Sequence, residues 1–266
     1  MSDAMHSLKK HSKSFYWAGL LLPRTTLDDV QQLYAYCRKM DDAVDELNAP
    51  EIVRESLAKH EAGVGEVSHL LAEYEISLPV LQAFLEGLID DTAPVKHNDI
   101  SSVLAFGYHV AGTVGVMMCH ILGRKDATTI YEAIDLGVAM QLVNIARDRA
   151  EDLRNKRDYI PKNYTQTSLV QIAERYFDSG MQGVHKLPLA MRPAIMTAAF
   201  LYREIGREII KNPEYALTHR VMVSKPRKLL LTLRALLACM HKPKATKHDI
   251  ALHAAFKHMP CADGGV

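Results

Sequence analysis

Very little in this sequence could build a sheet. No stretch keeps up a strand-type alternation, and no Asn-Gly or Asp-Gly pair marks a hairpin. Net charge is also scarce: 32 Lys and Arg against 31 Asp and Glu leave +1, so no global field recruits nucleic acid. The four cysteines (Cys37, Cys119, Cys239 and Cys261) lie too far apart to read as a metal knuckle or a redox pair, and they fit idle thiols in a reducing cytosol. No apolar run reaches about 18 residues, so no bilayer span is expected. The best candidate, 229–240, is interrupted by Arg234. The opening MSDAMHSLKKHSKS has no apolar stretch before a cleavage site, so it is not a secretory signal. These absences together predict a cytoplasmic location and place the function in local constellations.

Helical periodicity is what remains, and there is plenty of it. The chain is 266 residues long and 48% hydrophobic, enough for one sizeable core. A helix capped by Thr26 is expected to run to about residue 47, where Asn48-Ala49-Pro50 breaks it. Further helices are expected at about 51–74, 78–90, 99–122, 126–154, 166–177, 190–211 and 226–240, with a last one within 242–259. No solenoid repeat or low-complexity linker interrupts them. The fold class is therefore all-α, a single helical domain over 1–259 followed by a frayed tail at 260–266.

Two of these helices carry polar stripes. Tyr34, Arg38, Asp41 and Asp45 are spaced four, three and four, which puts them on one face. Gln141, Asn144, Asp148 and Asp152 are spaced three, four and four, within the apolar setting of Val138, Ala139, Leu142, Val143, Ile145 and Ala146. A helix so apolar is mostly buried. Carboxylate pairs withdrawn from water cannot all ionise unaided, so two pairs on two helices call for cations between them. Oxygen-only ligands suit a hard metal, and magnesium prefers one or two carboxylates plus substrate phosphates. A single DxxxD would read more simply as a solvated helix face. Two of them, each with polar partners in register, point to a magnesium–diphosphate site.

At these residues the sequence resembles the squalene/phytoene synthase family. The likeness is carried by HSKSF at 11–15, YAYCRKMDDAVD at 34–45, VAGTVG at 110–115 and QLVNIARDRAEDLRNKRDYIP at 141–161, with a weaker echo in Leu201-Tyr202-Arg203, Arg220-Val221 and 225–229. The resemblance implies an isoprenoid-synthase fold around a central cavity. It also implies head-to-head joining of two prenyl diphosphates through a cyclopropyl diphosphate. By the same resemblance the metal ligands are Asp41, Asp45, Asn144, Asp148 and Asp152, holding magnesium, with manganese as the alternative ion. His11, Lys13, Ser14, Tyr34, Arg38, Tyr202 and Arg220 would serve the diphosphates, and Gln141 would orient the second motif. Phe15, Gly19, Val110, Ala111 and Val114 would line the prenyl pocket. The implied partners are prenyl diphosphates, with peripheral membrane contact for release of a water-insoluble product.

Two positions make the expectation specific to this chain. Where the family usually has a catalytic tyrosine stands Phe106, which keeps the aromatic face and loses the phenol. Tyr108, two residues on, points elsewhere on a helix. At Gly19, family members that join farnesyl units commonly carry a bulky aromatic. Glycine there lengthens the channel, favouring geranylgeranyl diphosphate and a forty-carbon phytoene, unless Gly19 only ends a turn before Pro23. The alternatives are a squalene or dehydrosqualene synthase using farnesyl diphosphate, with NADPH only if squalene is the product, and a prenyl-diphosphate hydrolase kept open by Phe106. A non-catalytic scaffold is a further reading, against which both intact aspartate motifs stand. The repeat of Gly107, Ala111 and Gly115 fits either a pocket wall or a close helix contact.

Overall fold

A computed structural model describes residues 13–92, 94–241 and 247–262. Helix α1 spans Lys13–Gly19 and α2 spans Arg24–Asp45. Thr26 does not cap α2: the helix begins two residues earlier after Pro23, and Thr26 is buried inside it. Leu33, Tyr36, Met40, Ala43 and Val44 bury the opposite face from the polar stripe. The expected helix at 51–74 is two helices, α3 (Pro50–Glu61) and α4 (Ser68–Glu73). The chain turns between them at Gly63, whose φ of 75° a side chain would strain. Helix α5 (Leu78–Asp90) follows as read.

The wall of the site comes next. Helix α6 (Ile100–Gly107), a π-helical segment (Tyr108–Gly112) and α7 (Thr113–Ile121) form one continuous rod. By length and composition this rod would suffice to cross a membrane, contrary to the expectation that no stretch would. It packs instead within the helical bundle, with Tyr108, Val116 and Met117 buried. Helix α8 (Ala127–Arg154) is capped by Asp126, whose carboxylate accepts from the Thr129 amide at 3.1 Å. It approaches the rod very closely. A Cβ on Gly137 would stand 2.3 Å from the Ala111 carbonyl oxygen, and one on Gly115 would stand 2.3 Å from that of Ala133. The close-contact reading of the small residues therefore holds, alongside whatever their other face lines.

Helix α9 (Gln166–Val184) runs seven residues past the expected end at 177. Gly180 and Gly183 do not break it. They let it cross α8 at Leu136 and Glu132, where a Cβ would come within 2.7 Å. Helices α10 (Arg192–Lys211), α11 (Pro213–Thr218) and α12 (Lys225–Cys239) complete the helical set. The two strands, β1 (Val95–Lys96) and β2 (Arg157–Asp158), form a parallel bridge of two residues each. Of the last expected helix the described part is a 3-10 turn, Ile250–His253. Nor does a frayed tail begin at residue 260: the Pro260 carbonyl accepts from the Tyr108 hydroxyl, and Ala262 is fully buried.

Candidate active site

The exposure pattern of α8 locates the site. This helix is enclosed by the rod, α9 and α10, yet Ala133, Gly137, Gln141, Asn144, Asp148 and Asp152 all stay partly open. They recur at helical spacing and so form one stripe facing an internal cleft. Phe106, Val110, Ala111 and Val114 on the rod share this partial exposure and form the apolar wall. The π-helical segment lies in that wall, and such bulges recur at functional sites because they re-aim side chains.

Both acidic stripes meet at the mouth through a residue to which the sequence reading gave no role. Arg157, on β2, has an 8% exposed side chain and donates from Nη2 to Asp45 Oδ1 at 2.8 Å. Its charge also lowers the pKa of Asp41, Asp91 and Asp152. Asp41 on α2 and Asp152 on α8 are each pushed up to about 7, first by burial and then by the neighbouring Asp45 and Asp148 respectively. Asp152 also feels the charge of Asp45 across the gap between the helices. Asp91, just past α5, is a further acid at this end, raised to about 7 chiefly by burial. Nothing in the local pattern of Asp90-Asp91 singled it out, because only the β1–β2 bridge brings it to Arg157.

The basic and aromatic residues gather beside these acids. Arg38 pairs with Asp41 at 2.8 Å, and its Nε is buried with no partner among the described residues. Asp148 accepts from Arg147 Nε at 2.9 Å and lies 3.1 Å from Arg220 Nε. Arg147 in turn hydrogen-bonds Tyr202. The Phe15 ring lies 5.1 Å from that of Tyr202 and 6.4 Å from that of Tyr34. Ser14 sits on the same short helix, while His11 and the side chain of Lys13 lie outside the described residues. Gly19 is buried at the end of α1, one turn beyond Phe15 on the same face.

Phe106 stacks on Tyr159, with centroids 5.0 Å apart and planes 15° from parallel. The Tyr159 hydroxyl donates to Asp91 at 2.6 Å and 2.8 Å. A phenol therefore stands beside the position where the phenol of residue 106 is missing. Tyr108 points away, as expected, toward Pro260.

The donor set fits a divalent cation. Asn144 Nδ2 donates to Gln141 Oε1 at 3.1 Å, which turns the Asn144 oxygen free, and that oxygen is buried without a partner among the described residues. A carbonyl oxygen and several acids crowded into a half-buried cleft are hard ligands in need of positive charge.

A helical shell with two aspartate-bearing helices meeting at the mouth of an apolar cleft defines the isoprenoid-synthase class. Within it, the squalene/phytoene synthase family matches residues 8–168 and 165–227, and the chain belongs to that family. It is 32% identical to a 15-cis-phytoene synthase from Pantoea ananas over 88% of this chain and 90% of that one. A phytoene synthase from Cereibacter sphaeroides is 31% identical over 84% and 75%. Among solved structures, a dehydrosqualene synthase in complex with ligand superposes with a TM-score of 0.80 at 28% identity, over 88% of this chain and 94% of that one. Squalene synthase HpnC from Alicyclobacillus acidocaldarius shares the fold, with a TM-score of 0.68 at 18% identity over 79% and 93%. The chain is thus a prenyl transferase for head-to-head condensation of prenyl diphosphates.

Proposed function

We propose that this chain joins two geranylgeranyl diphosphates into phytoene through a cyclopropyl diphosphate. The observation that carries this is the stripe on α8, where apolar cleft surface beside Gly137 passes within one helix into Asn144, Asp148 and Asp152 at the mouth. Asp41 and Asp45 on one side, and Asn144, Asp148 and Asp152 on the other, would hold magnesium, with manganese as the substitute. Bound there, the metal supplies positive charge to a departing diphosphate.

The protein's own residues do the rest. Arg38, Tyr34, Tyr202 and Arg220 surround the diphosphate end, where Arg38 and Arg220 exchange their present acid partners for phosphate oxygens, with Ser14 beside them. Phe106, Val110, Ala111 and Val114 keep water from the allylic cation, and the Phe106 face stabilises it. Gly19 leaves room one turn beyond Phe15, and each extra methylene buried in such a channel is worth about 0.8 kcal/mol. The phytoene synthase names of the relatives support the longer substrate. For location we propose a cytoplasmic enzyme resting on the membrane through α12, which suits a water-insoluble product.

Labelled farnesyl and geranylgeranyl diphosphates test this directly. The wild type should give a forty-carbon hydrocarbon, with kcat/KM at least ~10-fold higher for the longer substrate, a ratio well within what pocket shape can supply. Gly19→Phe should reverse that preference, and Asp148→Asn should lose at least ~100-fold while staying folded. A wild type that prefers farnesyl diphosphate would make the dehydrosqualene reading the correct one.

A further inference from the structure

Thirteen residues before Asp148 on α8, about 20 Å along the helix axis, lies a second polar cluster outside the cleft. Asp135 is fully buried there. Its Oδ1 lies 3.0 Å from His253 Nε2, and its Oδ2 lies 2.8 Å from His248 Nε2. Both histidines belong to the C-terminal segment, which comes back across α8 and α9. Ser179 on α9 donates to the same carboxylate.

The proton positions are constrained. His253 Nδ1 lies 2.9 Å from the Ala262 carbonyl oxygen, which only accepts, so Nδ1 carries a proton. In the neutral ring, Nε2 then aims its lone pair at a carboxylate oxygen. Lone pair and anion need a cation between them, either a shared proton or a metal ion. A histidine whose other nitrogen donates to a backbone carbonyl is oriented as metal-bound histidines are.

An independent observation concerns Glu132, one turn earlier on α8. It is 1% exposed, and Lys186 satisfies its Oε1 at 2.7 Å. Its Oε2 is buried without a partner among the described residues. Glu132, Ser179 and His248 line one recess of about 310 Å³, and Glu132 feels the charges of both His248 and Asp135. Glu132 and Asp135 are thus two buried acids one turn apart on α8; Lys186 pairs with Glu132, and Arg175 and Lys247 line the same recess.

We propose that Asp135, His248 and His253 form a structural zinc site that fastens the C-terminal segment to α8 and α9, with Glu132 adding negative charge one turn away. One ligand atom from each of the first three lies within 4.8 Å of the others. Two imidazoles with one carboxylate are a borderline-soft set that suits zinc and not the magnesium expected at the catalytic mouth. Other features tie down the same segment: the Tyr176 hydroxyl donates to the Leu252 carbonyl at 2.6 Å, and that of Tyr108 to Pro260. Zinc here would brace the segment that supports the wall of the cleft from behind, without touching substrate.

The test is to titrate metal-free protein with zinc chloride in excess magnesium and to read bound metal and melting temperature. Wild type should retain one equivalent of zinc after desalting and melt several degrees higher with it. Cobalt in its place should give the visible bands of a tetrahedral ion. His248→Ala and Glu132→Gln should each bind zinc more weakly, the former by at least ~100-fold, since even outer partners of a metal site are worth about 10–100-fold. A wild type that retains no zinc and melts at the same temperature with and without it would overturn the proposal and leave a shared proton between Asp135 and His253. Undiminished zinc uptake by His248→Ala would overturn it equally. Turnover is measured separately, so failure here leaves the reading of the catalytic cleft untouched.

Discussion

At the scale of single residues, Phe106 stands where the family resemblance leads one to expect a tyrosine. Its ring lies flat on Tyr159, whose hydroxyl is held by Asp91. A hydroxyl added at residue 106 would enter this stack and restore a second phenol to the wall. Phe106→Tyr is therefore expected to move product away from cyclopropyl intermediate or alcohol toward linear hydrocarbon, as read by chromatography of the labelled lipids. An unchanged profile would show that the site manages without that phenol, and Tyr159 would become the group to vary next. Arg157 belongs to the same scale. One guanidinium with little solvent access compensates acids from α2, from the end of α5 and from α8, which is why its neighbourhood rather than its own short strand gives it meaning.

At the scale of elements, α12 stands apart from the others. Leu229, Leu233, Leu236 and Met240 recur at helical spacing, with Leu230 and Leu237 beside them, and all six are exposed, from 39% to 72%. Between residues 215 and 248 the chain has no Asp or Glu, while Lys225, Lys228 and Arg234 flank the leucines. A basic helix with an outward apolar face suits the surface of an anionic bilayer. The protein should sediment with vesicles containing phosphatidylglycerol and much less with neutral ones, and raised salt should weaken binding. Replacing Leu233 and Leu237 with Ser should abolish sedimentation and leave the fold intact. Concentration-dependent dimerisation without vesicle binding would assign this face to a second copy instead.

At the scale of the whole molecule, the cleft is held together against its own charge. Asp41, Asp91 and Asp152 titrate near 7 in the folded chain, against about 3.9 in an unfolded one. Between those values the folded state binds more protons than the unfolded state, so stability falls as pH rises through the window and levels off above it. In magnesium-free buffer the melting temperature should therefore drop between pH 5.5 and 8, and magnesium should recover most of the loss at pH 8. Calorimetry at both pH values checks this. A melting temperature that rises through the window would mean the acids are compensated without metal.

The sequence by itself determined the helical class, the two stripes and the family. Each of these follows from spacing along one helix or from motifs read in order, and spacing of that kind survives without tertiary structure. It misplaced the ends of helices where glycine serves packing. The helix expected to end at 177 runs on through Gly180 and Gly183, and only the crossing of α9 over α8 shows these as points of close approach. Asp91, Arg157 and Tyr159 joined the site because a two-residue parallel bridge lays the chain after α8 against the chain after α5. His248 and His253 reached Asp135 across more than a hundred residues. Contacts between segments distant in the chain leave no periodic trace, so which buried charges compensate one another was decided by the tertiary structure alone.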